Sequence, residues 1–123
     1  MTLPDVDAML LDFLGPVLNP VKAYLRVPSS RPDEFVVARR NGGGAASRVL
    51  DFPTVTVDAW AKSTTRAEEM ASVAREALLN GYTAMPLVRG VEELTGPYLS
   101  PDPETNLPVY RLSVRLSVRA SRS

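Results

Sequence analysis

The sequence predicts a single α+β domain over residues 1–123: a mixed or antiparallel β-sheet with an N-terminal helix and one Ala-rich helix packed on the sheet. Three stretches carry that prediction. In "LPDVDAMLLDFLGP" the apolar residues Val6, Met9, Leu10, Phe13 and Leu14 recur at the spacing of one helical face. In "VYRLSVRLSVR" Tyr110, Leu112, Val114, Leu116 and Val118 alternate strictly with Arg111, Ser113, Arg115, Ser117 and Arg119, the period of a half-buried strand. Between them, "TVTVDAWAKSTTRAEEMASVAREAL" begins with strand-like alternation and ends as an Ala-rich helix.

Taken in order, Pro4 and Asp5 suit the first turn of the N-terminal helix, and Gly15 with Pro16 is expected to stop it. "VKAYLRV" alternates Val21, Ala23, Leu25 and Val27 against Lys22, Tyr24 and Arg26, which predicts a strand, and "PSSRPDE" a turn. "FVVARR" and "RVLDFPTVTVDAW" predict two strands with "NGGGAAS" as the hairpin tip, and Pro53, lacking a ladder donor, predicts a bulge or an edge there. Thr65 and Glu68 have the spacing of a capping box, so the second helix is expected to begin at Thr65, to bury Ala67, Met70, Ala71, Ala74 and Leu78, and to end at Gly81. A face so rich in alanine lets a helix lie close on a sheet. "MPLVRGVEEL" predicts a further strand with Gly90 as a bulge, and "TGPYLSPDPETNLP", which holds four of the eleven prolines, a long loop.

A chain of 123 residues buries roughly two-thirds of its unfolded surface, so a core without covalent staples is expected. None is available, since there is no cysteine, and with no histidine either the commonest general base and metal ligand are both missing. Catalysis is not expected: no Ser-His-Asp arrangement can form, and neither lysine stands in a nucleophile motif. No metal and no cofactor is expected. Adjacent Glu92 and Glu93 point to opposite faces of a strand, and Asp102 with Glu104 lacks EF-hand spacing. Fourteen cations balance fourteen anions, so no global field would hold nucleic acid. Twelve of the cations are arginine, the residue of planar, bidentate pairing at interfaces. The run "AMLLDFLG" is broken by Asp12, is shorter than the ~20 residues of a membrane span, and lacks a basic start and cleavage-like site; neither signal peptide nor membrane segment is read.

"RNGGGAAS" lacks the lysine, hydroxyl residue and helix of a phosphate-binding loop and reads as a hairpin tip able to order against a neighbour. The stripe Arg111, Arg115, Arg119 reads first as a solvated sheet face, with an inter-subunit role as the alternative. Trp60, the only tryptophan, lies on the strand face opposite Val55 and Val57 and is expected to close one end of a core.

The order of elements resembles the small tail terminator and tail completion proteins of long-tailed, siphovirus-type bacteriophages, particularly those of actinobacterial hosts. "VLDFPTVTVDAWAKSTTRAEEMASVAREAL", then Gly96 and Pro97, then "PVYRLSVRLSVR" carry the likeness, which covers nearly the whole chain. It implies a structural virion protein: six copies form a ring at the head-tail junction that caps the head-proximal end of the tail tube and halts its growth. The implied partners are further copies of the chain, the major tail tube protein and the head-tail stopper or connector, with DNA only as passing cargo and no membrane. The implied location is the virion, after assembly in the host cytoplasm. By this analogy the tip from Arg40 to Ser47, including Asn41, Gly42, Gly43 and Gly44, meets a neighbouring subunit or the tube, as does the loop from Gly96 to Pro108, including Pro97, Tyr98 and Asp102. Arg111, Arg115 and Arg119 join them. Deleting Gly42 to Ala46 is on this reading expected to spare stability and abolish capping. Another head-tail connector, stopper or adaptor, is the nearest alternative, and a small-molecule-binding domain with its pocket between the Ala-rich helix and the sheet is the alternative of another class.

Overall fold

A computed structural model of the chain describes residues 2–121. Its five strands are β1 (Lys22–Tyr24), β2 (Phe35–Ala45), β3 (Leu50–Trp60), β4 (Val88–Leu99) and β5 (Val109–Arg119), joined in one sheet of order β1-β2-β3-β5-β4. β1 runs parallel to β2 and every other pair is antiparallel, so the sheet is mixed and the α+β expectation holds. Helices α1 (Val6–Leu18) and α2 (Thr64–Gly81) pack on one face, and a 3₁₀ turn, Tyr82–Ala84, leads from α2 towards β4.

The core lies between helices and sheet. β3 contributes Val55, Val57 and Ala59, β5 contributes Leu112, Val114, Leu116 and Val118, and α1 contributes Val6, Leu10, Leu14 and Leu18. α2 buries Ala67, Met70, Ala71, Ala74 and Leu78, the face expected from its spacing. Small side chains let its axis sit low on the strands, so Ala74→Leu should force three extra carbons into closed space and cost about 2 kcal/mol. A lower urea midpoint with unchanged slope is the expected reading.

Several boundaries depart from expectation for local physical reasons. Gly15 and Pro16 do not end α1, which runs on to Leu18. Proline here loses only a last-turn hydrogen bond, and burial of Leu14 and Leu18 on one stripe holds that turn in place. The α2 cap is Ser63, whose hydroxyl accepts from Arg66 N–H at 3.1 Å, and not the Thr65–Glu68 pair. β1 keeps only three residues of its expected seven. The triglycine stretch is not the hairpin tip: Gly43, Gly44 and Ala45 pair with Pro53, Phe52 and Asp51, and the turn lies between Ala45 and Leu50. Likewise Gly96 to Leu99 belongs to β4, where Tyr98 pairs with Arg111 and Leu99 with Tyr110, so the loop begins only at Ser100.

Bulges reconcile these pairings. The β2–β3 register shifts between Arg40 and Gly43, opposite Pro53 and Val55, as the missing proline donor suggested. β4 shifts three times, first beside Gly90 as expected and then on either side of Thr95.

Candidate functional site

The side of the sheet away from the helices is set by the β3 residues Thr54, Thr56, Asp58 and Trp60 and their cross-strand partners. At one end Trp60 stacks on Phe35, centroids 4.9 Å apart and rings 11° from parallel. Val37, Val109, Tyr24 and Leu107 complete a second small core, so Trp60 closes a cluster of its own on the far face.

Asp102 ties the loop before β5 onto that cluster. Its Oδ2 accepts from Arg31 Nη1 at 2.8 Å, from the Thr105 hydroxyl at 3.0 Å and from Trp60 Nε1 at 3.4 Å, and its Oδ1 accepts from Glu104 N–H at 3.0 Å. The Arg31 hydrogen bond first, and the Glu104 N–H next, hold the carboxyl far below the ordinary aspartate range. Asp102 is 8% exposed and fully engaged, so its first role is internal.

Arg40 organises the β2 bulge. Its guanidinium grips buried Asp51 with two hydrogen bonds and also donates to the carbonyls of Gly42 and Gly43. Its backbone N–H donates to Asp7 of α1 at 2.7 Å, which fastens the free edge of β2 to the helix layer. Asn41, Gly42, Gly43 and Gly44 are all exposed, but at Gly43 a Cβ would point into β3 and lie 2.2 Å from Phe52 O. This stretch is a braced edge, and deleting Gly42 to Ala46 would remove ladder pairs and carbonyls that Arg40 holds.

The arginine row on β5 is not uniform. Arg111 forms a two-point pair with Asp58 across the β3–β5 ladder, at 2.7 and 3.0 Å, and that hydrogen bonding lifts its guanidinium further above its usual range. Arg115 reaches Glu92 on β4 at 2.7 Å, with both side chains well exposed. Glu93, on the opposite face, pairs with Arg75 of α2, as adjacent strand residues must diverge. Arg119 forms no ion pair among the described residues, and neither do Arg39, Arg48 or Arg89.

Three of these free arginines gather at one end of the sheet. Leu50 pairs with Arg119, Ala120 N–H donates to Val49 O at 2.9 Å and Arg119 N–H to Leu87 O at 3.0 Å, which sets Arg48 with exposed Val49 and Leu50 on one side of Arg119 and Arg89 on the other. Other exposed apolar side chains form separate patches. Leu94, Tyr98 and Leu99 are exposed along edge strand β4, Tyr98 beside Arg111 and Leu99 beside Tyr110 on opposite faces, with Pro97 in its last bulge; Leu25 and Val27 follow β1 at the opposite flank; Val73, 46% exposed, stands on the outer face of α2. Among the described residues no three acidic side chains converge on a point that could hold an ion.

Sequence reasoning missed Arg48, Arg89 and Leu94. Their signal was weak because strand alternation cannot tell a core-facing leucine from one on a free edge, and pairing of arginines depends on register. No protein-family model matches the chain, and no curated protein matches it in sequence.

Proposed function

We propose that the protein is a structural subunit of a closed, head-to-tail ring that caps the head-proximal end of a long-tailed bacteriophage tail tube and joins it to the head. The observation that carries the reading is the division of the exposed apolar surface into several non-equivalent patches facing different ways. The sheet order puts β4 and β1 on opposite flanks, and the hairpin end and the outer face of α2 add two more. A heterologous ring needs two different patches per subunit, and a ring that also meets a tube and a head needs others. The ionisable groups that are buried, Asp51, Asp58 and Asp102, are each consumed in internal pairing, which suits a frame more than a reaction centre.

The deciding experiment combines mass by light scattering with electron microscopy of the protein alone and with co-encoded tail tubes. Six-membered rings, or rings that appear only on tube ends, are expected; monomers that leave tube length unregulated would defeat the reading. On the same assay, Tyr98→Asp combined with Leu99→Asp should lower capping at least tenfold, since both side chains are exposed and their loss from the surface leaves the core untouched. Unchanged capping would remove the β4 flank from the contact surface.

A further inference from the structure

We propose that the head-to-tail contact of this ring joins the acidic outer face of α2 in one copy to the arginine end of the sheet in the next. The inference rests on the ring reading and assigns its two surfaces.

The outer face of α2 presents Glu68, Glu69 and Glu76 around exposed Val73 and partly exposed Ala77. Its two arginines do not neutralise it. Arg66 is shared between Glu34 and Glu69, and Arg75 is turned to Glu93 on β4, while among the described residues Glu68 forms no ion pair and Glu76 accepts only from the Asn80 amide at 2.7 Å. At the end of the sheet the signs are reversed: Arg48 and Arg119 flank exposed Val49 and Leu50, Arg89 stands on β4 beyond Arg119, and Asp51, the acid next along β3, is already taken by Arg40. Each surface is thus an exposed apolar centre with a charged rim, and the two rims are opposite in sign.

That opposition also selects the symmetry. A two-fold dimer centred on either surface would place acidic face on acidic face or arginine end on arginine end, and like charges at short range repel; a reciprocal two-fold pairing would need both surfaces on one side of the subunit, whereas one lies on the helix layer and the other at an end of the sheet. Only the pairing of unlike surfaces is favourable. Because they occupy different elements of one subunit, each copy keeps one surface free for the next, and growth ends only when the ring closes.

Two double variants test this. In Glu68→Lys with Glu76→Lys, both surfaces are positive; in Arg48→Glu with Arg119→Glu, both are negative. Every substituted side chain is exposed, so circular dichroism and melting should match the parent. Each variant alone should self-associate at least tenfold more weakly than the parent in low salt, at tube ends if the free protein is monomeric. Mixed one to one, they should recover assembly, because alternate copies again present unlike surfaces at every contact and a six-membered ring allows strict alternation. Variants that assemble like the parent, or that fail alone and stay apart when mixed, would overturn the assignment while leaving the ring intact. A parent that forms no ring even on tube ends would remove the ring reading, and this contact with it.

Discussion

Gly43→Ala should lower stability by about 3–5 kcal/mol, one of the largest effects expected of a methyl group in this chain. Two causes act together. The backbone at Gly43 has φ +84°, where a side chain is strained, and a Cβ would meet Phe52 O at 2.2 Å, Pro53 Cα at 2.8 Å and Thr54 N at 2.8 Å. All three are backbone atoms of β3 and none can swing aside. Its neighbours provide controls: Gly42, at φ +122° but with open space, should cost about 1 kcal/mol as alanine. Gly44, with open space and ordinary φ, should be neutral or gain up to about 0.5 kcal/mol by narrowing the unfolded ensemble. Chemical unfolding of the three variants checks the order. Equal effects at Gly42, Gly43 and Gly44 would mean that the stretch is a loose tip after all.

The second large effect belongs to Asp102→Ala, which leaves the guanidinium of Arg31, the Thr105 hydroxyl and the indole N–H of Trp60 without their shared acceptor. A loss of about 3 kcal/mol is expected, with a melting point lower by roughly 10 °C. Trp60 is the only tryptophan, so its fluorescence should shift to the red as the loop lifts from the Phe35–Trp60 stack. The effect should also depend on pH. The folded carboxyl titrates well below its unfolded value of about 3.9, so it stabilises fully above that value and less as pH falls through it towards the folded range. The gap between parent and variant should therefore be widest near neutrality and narrow below about pH 4. A gap that stays constant down to pH 3 would show that packing, and not the charge, is what the variant removes.

These two residues also mark where sequence reasoning stopped. The elements themselves were legible, because Val55, Val57 and Ala59, the α2 face from Ala67 to Leu78 and the β5 alternation from Leu112 to Val118 bury the residues their periodicity selects, and only Tyr110 at the start of β5 stays partly exposed. Gly43 was legible only as a glycine. Its neighbours suggested a flexible turn, and nothing local reveals that β2 and β3 continue past it, since that depends on Arg40 reaching Asp51 across the ladder. Asp102 likewise lies 71 residues from Arg31 and 42 from Trp60 in the chain, and no spacing rule spans such distances. The arginine row on β5 was visible as a pattern, but which members are spent on Asp58 and Glu92 follows from register alone.

The interrupted register of β4 bears on whether another chain can add to this border of the sheet. A straight twelve-residue strand at the border of a sheet is a template on which another chain can add, and then another, without limit. In β4 the longest uninterrupted pairing runs only from Gly90 to Glu93, and each shift turns the unpaired N–H and C=O groups out of line. An incoming strand finds four residues to grip where a fibril needs six or more. The same border therefore still displays Leu94, Tyr98 and Leu99 as side chains while offering no continuous backbone edge to an added strand.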